Sequence, residues 1–123
     1  MGRKMHVLII ACNKELGRIW GRHLSRNGAE VILANSQAEA IAALQNRHVD
    51  VIVVDVVLTD GSAIAIADFA SYRQPKTKVI FVSNSNFFSD GSIFQHIPNA
   101  CAVMPSGVAP DDLEAVIEHH GAA

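Results

Sequence analysis

The sequence predicts an α/β domain, doubly wound, with a five-stranded parallel sheet and helices on both faces. Three observations predict it. Short apolar runs rich in Val and Ile stand at residues 7–12, 51–58 and 79–83, with weaker runs at 30–34 and 100–104. These runs are continuous, not alternating, which is how strands covered on both faces read. Between them, apolar residues recur every three or four positions. Strand and helix thus alternate five times, and that alternation makes a parallel sheet.

Each helix carries its own marks. In the first, Leu16, Ile19, Trp20, His23 and Leu24 repeat at helical spacing, with Asn13 as N-cap and Gly28 as the stop. Trp20 is expected in the core. Ser36 and Glu39 form a capping box for the second, which turns Ala40, Ile41 and Leu44 to one face. The third holds Ala63, Ile64, Ile66, Ala67 and Ala70 and ends near Gln74-Pro75. A fourth, weakly marked, is expected over 90–96. The fifth opens at Pro110 with Asp111 and Asp112 in its first turn, and buries Leu113, Val116 and Ile117.

Composition narrows the function classes. The chain has 123 residues, of which 50% are hydrophobic, enough for one domain with a core of its own. We expect a single domain over 1–123, with its core at about residues 5–119. Net charge is −2. No basic patch points to nucleic acid or to an anionic membrane, and neither is expected as a partner. The apolar run near the N-terminus is too short for a signal-peptide core, and no stretch is long enough to span a bilayer. Cys12 and Cys101 are not in CxxC spacing, and the histidines show no ligand spacing, so no structural metal is expected. Free thiols suit a reducing cytoplasm.

In open parallel sheets, chemistry sits at the carboxyl ends of the strands. Asp55 stands there, a carboxylate after four apolar residues, followed by Asp60-Gly61. An unpaired charge in such a run is costly to bury. It serves either as a reactive group or as a structural acceptor of backbone N–H bonds in the next turn.

The segment 50–61 resembles the phosphoacceptor segment of response-regulator receiver domains, the CheY-like family. The resemblance covers roughly residues 5–119. It implies a flavodoxin-like sheet of strand order 2-1-3-4-5, with Asp55 as phosphoacceptor. Ser83 matches the family's hydroxyl residue, which hydrogen-bonds the phosphoryl group. Met104-Pro105 matches its Lys-Pro pair, so Pro105 is expected to follow a cis bond. The departures are Ala11 and Cys12, where the family has two acids that help hold Mg²⁺; Met104, where it has Lys; and Cys101, where it has the aromatic that reports phosphorylation.

Phosphoryl transfer to a carboxylate depends on positioning and on neutralising the phosphoryl oxygens. The remaining Mg²⁺ donors are Asp55 and a backbone carbonyl, that of Val57. Mg²⁺ binding is therefore expected to be weak or absent, and no other cofactor is expected. The resemblance implies a two-component (phosphorelay) signalling domain, not an enzyme, that meets a histidine kinase or a downstream effector by protein contact. A homodimer is an open alternative. Phe87 and Phe88 are adjacent aromatics on a short loop that offer a partner surface or, equally, a cover for the pocket. A working phosphoacceptor using Asp55 is the rival reading. A flavodoxin-like cofactor module is disfavoured, since residues 11–17 lack a hydroxyl-rich phosphate loop.

Overall fold

The computed structural model describes residues 5–11, 14–55, 63–83, 100–105 and 109–121. Five strands, β1 (His6–Ile10), β2 (Glu30–Ala34), β3 (Val51–Asp55), β4 (Lys78–Ser83) and β5 (Ala100–Pro105), form one sheet of order β2-β1-β3-β4-β5. Every neighbouring pair is parallel. The helices are α1 (Lys14–Arg26), α2 (Gln37–Asn46), α3 (Ala63–Arg73) and α4 (Pro110–Gly121). The helix expected over 90–96 lies outside the described residues, so the helix after β5 is labelled α4.

The period of two along each strand divides the core into two layers. Leu8, Ile10, Ile52, Val54, Val79 and Phe81 face α2 and α3, packing against Leu44, Ile66 and Ala70. Val7, Ile9, Val51, Val53, Ile80 and Val82 join Trp20, Leu24, Leu113 and Ile117 of α1 and α4. The continuous apolar runs are thus two interleaved faces, each covered by helices. Trp20 is 2% exposed, and Leu113 and Ile117 are buried, as their spacing predicts.

Three apolar positions differ from the expectation. β2 reads as a doubly covered strand, yet Leu33 is 47% exposed. The reason is its place at the sheet edge, where α1 covers it incompletely: a groove lined by Arg18, Gly21, Arg22, Ser25, Val31 and Leu33 runs alongside. Ile19 and Ile64 belong to the helical repeats but sit about half exposed, on the shoulders of stripes wider than the contact they serve.

The helix ends follow local chemistry. Gly28 takes φ +98°, a left-handed value that glycine adopts without penalty. Its N–H bonds to the Ser25 carbonyl at 3.0 Å and the Ala29 N–H to that of Leu24 at 3.0 Å, closing α1 with a Schellman motif. Ser36 caps α2 by accepting from the Glu39 N–H at 3.2 Å. The Glu39 carboxylate reaches back to the Asn35 N–H at 2.9 Å, one residue before the cap. Asn13, the expected cap of α1, lies outside the described residues.

Gln74 joins three elements after α3. Its amide donates to the Leu44 carbonyl at 2.8 Å and the Arg47 carbonyl at 2.7 Å, and its oxygen accepts from the Val49 N–H at 2.9 Å. Gln74→Ala strands all three backbone groups and should cost about 2 kcal/mol. Gln74→Glu should lose nearly as much, because a carboxylate cannot donate to two carbonyls. Urea unfolding checks both: the midpoint should fall at unchanged slope. A midpoint unmoved by either variant would mean that water replaces these bonds at no cost.

Candidate functional site at the carboxyl edge of the sheet

Register decides which side chains meet at the carboxyl edge. Ile10 pairs with Val54, so Ala11 and Asp55 stand one step further along β1 and β3. Asp55 pairs with Val82, and Val82 with Met104. Ala11, Asp55, Val82 and Met104 thus form one row across four strands. Neighbouring strands lie about 4.8 Å apart, so Ala11 flanks Asp55 directly while Met104 stands two strands away.

The surroundings of that row are apolar. Ala11 is 8% exposed and belongs to the core layer under α1 and α4, as does Val82. Met104 is half-buried and packs against the same layer. Gly17 of α1 lies close over Ala11: a Cβ placed on Gly17 would come within 3.3 Å of the Ala11 Cβ. Asp55 itself is half-buried and engaged in an interaction. It is the only residue in the row with a side-chain oxygen.

Mg²⁺ takes oxygen ligands in a near-octahedral shell and is usually held by one or two carboxylates with water, and within the row Asp55 alone could supply such a ligand. A methyl group, an isopropyl group and a thioether offer no such ligand. Met104 equally supplies no ammonium to a phosphoryl group.

Ser83 closes β4 and pairs with Pro105, one step beyond the row. The topology thus brings Asp55 and Ser83 to the same sheet edge. No peptide bond among the described residues is cis, so the cis bond expected before Pro105 is not among the features observed. Cys101 falls in β5 at a shift of register: Val79 pairs with Ala100 and Ile80 with Ala102, leaving Cys101 as the extra residue. Cys12, Val57, Phe87 and Phe88 lie outside the described residues.

Two further ionisable clusters escaped the sequence reading. Asp50 opens β3 at the opposite edge of the sheet and is buried. It accepts from the His6 N–H at 2.8 Å, and its other oxygen lies 2.8 Å from His48 Nε2. His6 Nε2 also sits 2.9 Å from Glu30. The only local signal is His48-Val49-Asp50, since His6 lies 44 residues away. This cluster ties β1 to β3 and is remote from the carboxyl edge. The second joins α1 to α4. His23 Nε2 lies 3.0 Å from Asp111 and 3.2 Å from Glu114. The three donor atoms lie within 4.8 Å of one another. The α4 N-terminus favours its carboxylates and disfavours a metal cation beside them, and His23 Nε2 lies within hydrogen-bond distance of both. The cluster is a staple between helices.

An open parallel sheet of order 2-1-3-4-5, with helices on both faces and an acid at the end of β3, is a flavodoxin-like architecture of the CheY-like type. Solved structures agree. A CheY-like response-regulator receiver domain from Methanospirillum hungatei superposes with a TM-score of 0.86 at 21% identity, covering 95% of this chain and 93% of that one. The non-phosphorylated HemR receiver domain from Leptospira biflexa gives 0.85 at 17%, over 98% and 96%. A chain described as adenylate cyclase from Rhodopirellula baltica gives 0.85 at 17%, over 96% and 87%. The protein therefore has the receiver fold along nearly its whole described length. No protein-family model matches the sequence, and no curated protein does. No helix among the described residues is long and apolar enough to cross a membrane.

Proposed function

We propose that this chain is a receiver-like domain of two-component signalling that acts by protein contact, with phosphorylation of Asp55 weak or absent. One observation carries the reading: the row through Asp55 has Ala11 where an acid would help hold Mg²⁺ and Met104 where a lysine would meet a phosphoryl group, the first buried in the apolar core and the second packed against it. Losing one opposing charge at 4 Å forfeits about 4 kcal/mol at an effective dielectric of 20. That is about a thousand-fold in a rate or an affinity. The receiver fold supports a signalling role rather than catalysis, since the row holds no base beside a nucleophile. A histidine kinase or downstream effector is the class of partner, and the cytoplasm is the place for it.

The half-exposed Asp55 at a strand end favours a second reading, a working phosphoacceptor, and one experiment separates the two. The protein is titrated with Mg²⁺ and beryllofluoride under backbone NMR, then incubated with Mg²⁺ and acetyl phosphate. The expected result is no saturable shift around Asp55 and no stable phosphoprotein. Stoichiometric labelling that vanishes in Asp55→Asn would replace the first reading with the second.

A further inference from the structure

The sheet is open along β2. The Glu30 N–H bonds to the Met5 carbonyl at 2.8 Å, and β2 runs on parallel to β1 as far as Ala34. The N–H and C=O groups of successive residues point to opposite sides of a strand. Glu30, Ile32 and Ala34 therefore turn theirs to β1. Val31 and Leu33 turn theirs outward, where no further strand stands among the described residues. The side chains of these two residues face α1: Val31 packs against the layer under α1 and α4, and Leu33 is 47% exposed.

Over this edge stands the flank of α1 turned away from His23. Lys14 lines one groove with Leu33 and Ala34, and Arg18 and Arg22 line the next with Val31 and Leu33. The three cations are exposed and recur at a spacing of four, so they form one row along the edge. None forms an ion pair among the described residues. Like charges at this spacing repel, so the row weakens the helix that carries it. Gly21 keeps the groove open: a Cβ there would come within 3.3 Å of Val31 Cγ1 and 3.4 Å of Leu33 Cδ2.

We propose that this edge takes an extended acidic segment of a partner protein, added as a further strand beside β2 with its carboxylates on Lys14, Arg18 and Arg22. Main-chain bonds to Val31 and Leu33 supply affinity, and alternate side chains supply specificity. An extended segment turns every second side chain to α1. Acids at those positions meet the basic row, and their methylene stems cover Leu33. The chemistry selects this occupant. The whole chain carries −2, so the row is a local positive strip on an acidic molecule. A nucleic-acid backbone would satisfy the cations but offers no ladder to the outward N–H and C=O groups. A second copy, paired edge to edge about a two-fold axis normal to the sheet, would set two basic rows on the same face across one seam, and like charges so placed suppress that pairing. The edge uses none of the chemistry at Asp55.

Backbone NMR tests it, with a blocked peptide of about six residues, the usual strand length, in which glutamate alternates with valine. The peptide should bind saturably. The Val31 and Leu33 amides should become protected from hydrogen exchange, while that of Ile32, already turned to β1, changes little. The Debye length is about 30 Å at 0.01 M salt and about 3 Å at 1 M, and affinity should fall about tenfold between the two. Arg18→Glu/Arg22→Glu should weaken binding about tenfold or more, and a peptide with lysine in place of glutamate should not bind. Leu33→Pro removes one outward N–H and leaves the ladder to β1 intact, since proline is tolerated where its nitrogen faces away from the sheet. It should weaken binding about tenfold at unchanged circular dichroism. A peptide N-methylated along its whole length keeps every carboxylate and has no main-chain donor, so it should not bind the wild type even if Leu33→Pro fails to fold. Binding that survives N-methylation overturns the proposal. So does the absence of saturable binding, or binding that leaves Val31 and Leu33 unprotected. A wild-type chain that sediments as a dimer, and that Leu33→Pro returns to monomer, would put a second copy at this edge and overturn it equally. Asp55→Asn should bind the peptide as the wild type does, so failure here is distinguishable from failure of the phosphorylation reading.

Discussion

Replacing Ala11 with Asp is expected to cost about 3–5 kcal/mol of stability in metal-free buffer, the usual penalty for an uncompensated charge in a buried site. Ala11 is 8% exposed, and Gly17 of α1 closes over it. A carboxylate there would stand on the strand next to Asp55, desolvated and facing a like charge. Both effects raise its pKa. A carboxyl whose folded pKa is raised destabilises the fold as pH climbs from the unfolded value towards the folded one. The deficit should therefore shrink towards about pH 4, where the introduced group becomes neutral in both states. Ala11→Asn separates charge from volume: it should cost clearly less at pH 7 and show no such pH dependence. Adding Met104→Lys to Ala11→Asp should return part of the loss. Adding Cys12→Asp as well should bring Mg²⁺ binding tighter than that of the wild type. Urea unfolding at several pH values checks the series. An Asp variant as stable as the wild type at pH 8 would show that the edge of the sheet is wetter than its apolar lining implies.

Trp20→Ala is the second large effect, about 3–5 kcal/mol for a fully buried aromatic. That is a large share of the 5–15 kcal/mol that holds an ordinary domain together. Trp20→Phe should behave differently. The indole N–H is buried with no hydrogen-bond partner among the described residues. An orphaned donor costs about 1–3 kcal/mol. Phenylalanine removes that donor while keeping most of the ring's contacts, so the two terms oppose and the variant should lie within about 1 kcal/mol of the wild type. Thermal unfolding followed by far-ultraviolet circular dichroism is the measurement. A Phe variant as unstable as the Ala variant would mean that shape, not the lost donor, governs the site.

The strands and their order along the chain were legible because each is an apolar run of the right length, and the helices because their spacing and caps are local. Asp55 was legible as a polar residue ending such a run. The edge position of β2 came with the strand order that the resemblance implies and not from the run itself: a continuous apolar run looks the same at the edge of a sheet as in its centre, so the exposure of Leu33 was not legible. The same holds for Ile19, whose exposure depends on where α4 packs. Asp50 and His23 were missed for a related reason. Their partners lie 44 and 91 residues away, and no short window of sequence holds both ends of such a contact. At the candidate site, the row through Asp55 follows from the register of four strands. The residue identities were visible beforehand, and the burial of Ala11 and the packing of Met104 were not.

Of the five strands of this sheet β1 leaves the ribosome before the others, yet it lies inside the sheet between β2 and β3. Its β2 side can close once residue 34 has emerged, whereas its other side waits for β3 and residue 55. During that interval Val7 and Ile9 belong to a layer whose α4 has not been made, and Leu8 and Ile10 to one whose α3 has not. Parallel pairings of this kind close slowly, because the connecting chain must be ordered before the contacts form. The β1–β3 part of the sheet is therefore the span that most needs protection from other chains, and that need lasts until α3 and then α4 have been made to cover its two faces.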